Sequence, residues 1–244
     1  MIVLFTDFGL AGPYTGQVKA VLHHEAPGVP VADAPQSNPK SAAYLFAAYA
    51  AWFPPGTVFL AVVDPGVGGE RAALAVEADG RWLVGPGNGL VEILRRRAAH
   101  ARLVEITWRP EGMSDSFHGR DLFAPVAARL ARGEAPPGEP REGDFDRHSD
   151  WPDDLGEIVY VDHYGNAMTG LRATMLSPEA HLLAGGRSIS HARTFSSVSA
   201  GSVFWYENSN GLAEIAVSMA APTRRLTSPS AAQLRSRGFP ARRN

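Results

Sequence analysis

Cysteine is absent from this chain of 244 residues, which removes disulfides, thiol nucleophiles and thiolate metal centres from the chemistry open to it. The same absence fits a reducing compartment. Neither sign of charge predominates: 23 Lys and Arg face 25 Asp and Glu, a formal net charge of −2, so no broad basic field invites nucleic acid. A small-molecule partner is expected instead. No apolar run approaches membrane-spanning length, and residues 1–5 are too short for a signal-peptide core and have no basic segment ahead of them. The expected location is therefore cytoplasmic. A Walker loop, a nucleophile-elbow serine and a zinc-protease motif are all missing, which withdraws support from the common hydrolase mechanisms. The glycine groups 66, 68, 69 and 85, 87, 89 lack dinucleotide spacing, and Pro86 removes a donor. No Rossmann cofactor is expected.

What is present suffices for a core: 45% of residues are hydrophobic and 9% aromatic, enough at this length for one large domain or two small ones. The most informative stretch is Val62-Val63-Asp64-Pro65-Gly66-Val67-Gly68-Gly69-Glu70-Arg71, where an apolar strand ends on a carboxylate, then glycines, then a cation. Open α/β sheets bind ligands at the carboxyl ends of their strands, and glycines there let backbone approach a guest. Taken alone, the stretch also reads as a Pro-Gly turn begun by Asp64 with Arg71 as a surface cation. Two repetitions of the design favour a site. Ile2-Val3-Leu4-Phe5 reads as a buried strand followed by Thr6-Asp7-Phe8-Gly9. Ser116-Phe117-His118-Gly119-Arg120-Asp121 precedes a helical stretch at 122–130 that Asp121 is placed to cap. His118 is thus a candidate working imidazole, and a helix cap is the competing role for Asp7.

Periodicity gives the fold class. Leu45, Phe46, Tyr49, Trp52 and Phe53 recur at helical spacing over 40–53, and 57–63 reads as a buried strand, which makes a βαβ pattern. Further strands are expected at 72–76, 81–84 and 103–107, with a helix at 88–99 whose arginines face solvent. The first domain, 1–133, is accordingly α/β, a βαβ-type sheet with flanking helices. Pro136, Pro137, Pro140 and Pro152 then mix with charges and few aliphatics, so 134–155 reads as a Pro-rich linker. Its Asp144, Asp146, His148 and Asp150 are not expected to hold a metal, because a solvated Pro-rich stretch is seldom preorganised for a cation. Beyond it, strands at 157–161, 180–184, 202–206 and 212–217 are separated by turns. A small all-β domain over 156–244 is expected.

Six motifs in order resemble the S-adenosyl-L-methionine (SAM) hydroxide adenosyltransferases, relatives of the fluorinating and chlorinating enzymes that use the same substrate. They are Thr6 to Gly9, the run from Phe53 through Arg71, Gly85-Pro86-Gly87-Asn88-Gly89-Leu90, Phe117 to Asp121, Asp162-His163-Tyr164-Gly165-Asn166, and Asn208-Ser209-Asn210-Gly211-Leu212-Ala213-Glu214-Ile215-Ala216. Three departures stand beside them: Gly87 where many relatives carry an aspartate, Asn210 where halogenating relatives carry an arginine, and a stretch at 33–40 without the histidine-containing pattern.

The resemblance implies an α/β domain followed by a barrel-like β domain, in a homotrimer whose sites lie between subunits. It also implies hydrolysis of SAM by attack of water or hydroxide at the ribose 5′ carbon, giving adenosine and L-methionine with no cofactor. By motif position Asp64, Arg71 and His118 would hold and polarise the water; whether Asp64 or His118 takes its proton is left open. Asp7 resembles the carboxylate that accepts both ribose hydroxyls. Asp162 resembles the acceptor of the methionine ammonium and Asn166 the reader of the adenine edge, with Tyr164 and Phe195 as candidates to pack the base. Ser209 would meet the methionine carboxylate, although a turn explains its surroundings equally well. Two alternatives are a halide-dependent 5′-halogenase and a non-catalytic adenosine- or SAM-binding module. A carboxylate at Asp64 counts against the first, because it repels a halide by on the order of 4 kcal/mol at 4 Å with an effective dielectric near 20.

Overall fold

Two apolar runs become the central strands of the first unit, β1 (Ile2–Thr6) and β3 (Val58–Val62), in which every residue is buried. The structure, a computed structural model, describes residues 1–35, 38–142, 148–218 and 235–237. Two units succeed one another, Met1–Ser149 and Asp150–Asn244.

Side chains alternate across a strand, so β1 and β3 each supply two cores. Ile2, Leu4, Val58, Leu60 and Val62 face α1 (Pro13–Glu25) and α4 (Ala124–Ala131) through Val18, Leu22, Val126 and Ala127. Val3, Phe5, Phe59 and Ala61 face α2 (Pro39–Tyr49) through Ala42 and Phe46, the Phe5 and Phe46 rings meeting edge to face at 4.9 Å. Asn38 begins α2 by accepting from the Ser41 N–H at 3.2 Å, ahead of Pro39, whose fixed φ suits a first helical position.

With β2 (Val31–Pro35), β4 (Ala73–Ala78), β5 (Arg81–Pro86), β6 (Ala101–Ile106) and β7 (Gly138–Arg141), the sheet runs in the order β2-β1-β3-β5-β4-β6-β7. The first four of that order are parallel, and β4, β6 and β7 attach antiparallel. The chain leaves β1 toward β2 on one side and returns to β3 on the other, so the strand order reverses between β1 and β3. Such a reversal opens a crevice at the carboxyl ends of the two strands.

Part of the segment expected as a linker is sheet: β7 pairs with β6 along Leu103 to Ile106. A short edge strand can carry Pro140 because its outer side has no ladder to complete. The helix expected at 88–99 is the shorter α3 (Glu92–Arg97). Arg96 is not a solvated arginine, since its Nε donates to Glu92 Oε1 at 2.6 Å and Nη2 to the His148 carbonyl. Asp144 and Asp146 lie outside the described residues.

The second unit is made of antiparallel strands. β8 (Leu155–Val161), β9 (Ala167–Arg172), β12 (Val203–Glu207) and β13 (Leu212–Val217) form one sheet, ordered β12-β13-β9-β8. β10 (His181–Ala184), β11 (Arg187–Ile189) and β14 (Arg235–Arg237) form another. His191 bridges Trp205 just past β11, which ties the second sheet to the first. Trp205 is the largest buried side chain here, and its indole N–H donates to the Ala180 carbonyl at 2.9 Å.

Candidate active site

The register of β1 on β3 sets Thr6 against Val62, so the carboxylates one residue past β1 and two residues past β3 emerge from neighbouring strand ends. They are Asp7, whose N–H donates to the Val62 carbonyl at 3.4 Å, and Asp64. Helix capping by Asp7 does not occur, because α1 begins at Pro13 with Gly12 at the N-cap position and no side-chain cap. Behind Asp64 the chain turns tightly, Val67 N–H donating to the Asp64 carbonyl and Gly69 N–H to Gly66. The turn reading of Asp64 is therefore correct for its backbone, while its side chain does something else.

Arg71 reaches back and clasps the Asp64 carboxylate. Its Nε lies 3.0 Å from Oδ1 and 2.8 Å from Oδ2, and Nη2 also bonds Oδ2. The same Nη2 lies 3.1 Å from His118 Nδ1, and the Phe123 ring sits 5.4 Å from the guanidinium carbon. At 5% and 12% exposure for the Asp64 and Arg71 side chains, this is not a surface ion pair. A planar fork with five donors grips a carboxylate through two nitrogens and reaches an imidazole from the same fixed plane, a geometry that the single nitrogen of a lysine does not impose.

His118 leads into a π-type turn over Gly119–Phe123, closed by the Ala124 N–H on the Gly119 carbonyl. Such widened turns interrupt helices and recur at functional sites. Gly119 leaves room there for the Phe8 ring, whose tip would stand 2.7 Å from an added Cβ. Asp121 does not cap α4. It accepts from the Ser114 N–H at 3.0 Å and pairs with Arg120, tying down the loop before His118.

These parts enclose a pocket of about 60 Å³, its wall built from Asp7, Asp64 and His118 on the polar side and Phe8, Val67 and Phe117 on the apolar side. A water needs roughly 10–15 Å³ of such space, so the pocket suits a few waters or a reacting centre rather than a whole nucleoside. Arg71 is not part of the wall. It stands behind and touches the pocket only through its two partners, a placement the sequence does not reveal. Burial and the Arg71 charge hold the His118 pKa below its ordinary value, with Asp64 pulling weakly the other way. Burial, then the Asp64 charge, raises that of Asp7.

The remaining candidates lie in the second unit. Asp162 organises the β8–β9 hairpin: Oδ1 accepts from the Tyr164 and Asn166 N–H groups at 2.8 Å each, and Oδ2 from Asn166 Nδ2 at 3.0 Å. A carboxylate has about four acceptor positions, so among the described residues one stays open, as do the Asn166 Oδ1 and its second N–H. Tyr164 is 85% exposed at the hairpin tip. Phe195 packs on Phe204 and Tyr206 at 5.2 and 5.3 Å, and Ser209 is exposed on the turn between β12 and β13. Sequence reasoning missed Tyr206, whose hydroxyl donates to Glu214 and whose pKa is raised by burial, by Glu214 and by the Asp162 charge. It also missed Asn88, whose Nδ2 donates to the Val63 carbonyl at 2.8 Å and so pins the strand end that carries Asp64. Gly87 is tightly placed, with a Cβ due 3.2 Å from Leu74 and 3.3 Å from the Ala72 carbonyl. Among the described residues no group of three His, Asp or Glu could hold a metal ion.

Residues 2–139 match the family described as SAM hydroxide adenosyltransferase N-terminal domain, and residues 156–234 the corresponding C-terminal domain. A protein of Thermus thermophilus named (R)-S-adenosyl-L-methionine hydrolase is 39% identical over 238 residues, covering 88% of this chain and 91% of its own. One of the same name from Salinispora arenicola is 35% identical, covering 87% and 88%. The crystal structure of an uncharacterized conserved protein from Thermotoga maritima superposes with a TM-score of 0.81 at 28% identity, over 96% of this chain and 99% of that one.

Proposed function

The chain belongs to the SAM hydroxide adenosyltransferase family, and we propose on that premise that it is an enzyme hydrolysing SAM to adenosine and L-methionine. The observation that carries the reading is the Arg71 fork holding both Asp64 and His118 at the edge of a small pocket.

In the reaction an oxygen–C5′ bond forms while the C5′–sulfur bond breaks, its electron pair going to sulfur. A sulfonium leaves as a neutral thioether without protonation, so no cofactor is needed; the protein's tasks are to align the water, take its proton and exclude bulk solvent. A guanidinium has no acceptor, so His118 Nδ1 accepts from Arg71 and the ring proton sits on Nε2. His118 then donates to the water oxygen and steadies hydroxide as it forms. Asp64 is the group left to take the proton. The carboxylates of Asp7 and Asp64 also suit a cationic substrate.

Asp7 accepts the ribose hydroxyls. Asp162 takes the methionine ammonium at its open acceptor position, Asn166 reads the adenine edge, Tyr164 and Phe195 pack the base, and Ser209 meets the methionine carboxylate. The family resemblance further supports a homotrimer with each site shared between subunits, and the lack of cysteine supports a cytoplasmic location. Among the described residues no helix is long and apolar enough to cross a membrane.

The test is incubation of purified protein with SAM, with and without chloride, and chromatography of the nucleosides. Adenosine and methionine in equal amounts under both conditions are expected. A chloride-dependent 5′-chloro nucleoside, or binding without any product, would overturn the reading.

A further inference from the structure

The second unit buries a carboxylate in a strand that is otherwise apolar. Glu214 in β13 is 2% exposed, between Leu212, Ala213, Ile215 and Ala216, all buried. Among the described residues its partners are two neutral donors: the Tyr206 hydroxyl on Oε1 at 2.5 Å and the Asn208 amide on Oε2 at 2.8 Å. Core stability alone does not call for it, because an apolar side chain of similar volume avoids the desolvation cost of a carboxylate.

What Glu214 does is orient Asn208, which is itself buried. The amide has a donating and an accepting end. Its Oδ1 accepts from the N–H groups of Asn210 at 2.9 Å and Leu212 at 3.0 Å, while the backbone closes the turn through Asn208 N–H to Leu212 and Gly211 N–H to Asn208. Rotating the amide by half a turn would set its NH2 against those two N–H groups. A carboxylate accepts only, so Glu214 fixes Nδ2 toward itself and Oδ1 toward the turn. Ser209 stands exposed on top of this construction.

We propose that Glu214 is a positioning residue for substrate: by orienting the Asn208 amide it holds the 208–211 turn in the shape that presents Ser209 to the methionine carboxylate. The inference rests on the hydrolase reading above, in which Ser209 meets the methionine end. Because that contact exists in both ground and transition states, its loss weakens binding without slowing chemistry.

The experiment compares the full-length wild type with Glu214→Leu, Glu214→Gln and Asn208→Asp, using SAM as substrate and adenosine and L-methionine as competing ligands. Glu214→Leu should raise KM about tenfold or more with kcat within about threefold, and weaken inhibition by methionine but not by adenosine. Glu214→Gln keeps an acceptor for Asn208 and should restore KM to within about twofold of wild type. Asn208→Asp retains the acceptor for the two N–H groups but sets a second carboxyl against Glu214. The donor that Asn208 supplied to Glu214 is lost, so the KM should rise about tenfold or more, in step with Glu214→Leu. This variant keeps the test alive if Glu214→Leu does not fold. Wild-type KM in a folded Glu214→Leu, or in a folded Asn208→Asp, would overturn the proposal while leaving the hydrolase reading intact. A wild type that releases no adenosine would instead sink that reading.

Discussion

Gly68 and Asp115 meet backbone to backbone: a Cβ built on Gly68, whose φ is +82°, would stand 2.9 Å from the Asp115 carbonyl oxygen. The loop that carries Asp64 and Arg71 is thereby pressed against the loop that leads to His118. Neither loop contains the whole of the site, and this contact sets their separation.

Gly68→Ala should consequently damage activity more than its size suggests. The left-handed backbone alone costs about 1–2 kcal/mol for a residue with a Cβ, and the clash pushes the two loops apart. Thermal melting should show a small loss of stability, and steady-state kinetics a fall in kcat of about tenfold or more, since misplacement by about an ångström can cost as much as a hundredfold. Unchanged kcat in a folded variant would mean that the spacing of the loops is not what aligns the site.

Replacing Asp64 by Asn should lower kcat by roughly 10²–10⁴-fold with little change in KM, the usual range for losing proton acceptance. His118→Ala should fall in the same direction, but His118→Gln, which still carries an N–H donor, should recover part of the loss. The double variant of Asp64→Asn and His118→Ala should be hardly worse than Asp64→Asn alone. Recovery absent in His118→Gln, with full activity in Asp64→Asn, would reverse the two roles.

Stability against pH should carry a signature of His118. Its folded pKa is lowered from 6.5 by burial and by Arg71, so the unfolded chain takes a proton that the folded one resists. Stability is therefore present above pH 6.5 and is lost as pH falls from there through the lowered folded value. Urea midpoints for wild type and His118→Gln should converge toward acid, the wild type losing more.

At Asp7 the sign is opposite. Burial and the Asp64 charge raise its pKa, so the contribution of this group is fullest below the unfolded value of 3.8 and is lost as pH rises through the folded one. Asp7→Asn should then melt slightly higher than wild type at neutral pH while its KM for SAM rises about tenfold, a trade of binding against stability. An unchanged KM would remove Asp7 from the ribose.

Much of the first unit was legible because its signals are local. β1 and β3 are unbroken apolar runs, and the carboxylates after them mark strand ends. α1 was not legible, since Gly16, Lys19 and His23 interrupt its apolar spacing and it buries only Thr15, Val18 and Leu22. β7 was hidden among prolines because its pairing comes from β6, not from its own residues. The trio of Asp64, Arg71 and His118 could be named from motifs, but the place of Arg71 behind the pocket wall depends on fork geometry that no spacing encodes. Glu214 did leave a trace, as a carboxylate at an inward position of an apolar strand, and its partners come from the preceding strand and turn.

Arg71 and His118 lie 47 positions apart in the chain, and Asp7 lies further off still. On the ribosome, then, the residues that would split SAM cannot meet until synthesis has passed Gly119 and the parallel strands have closed on one another. Long-range pairing of that kind is slow to form. An emerging or half-folded chain thus lacks the assembled trio, and the chemistry proposed for it is confined to molecules that have finished folding.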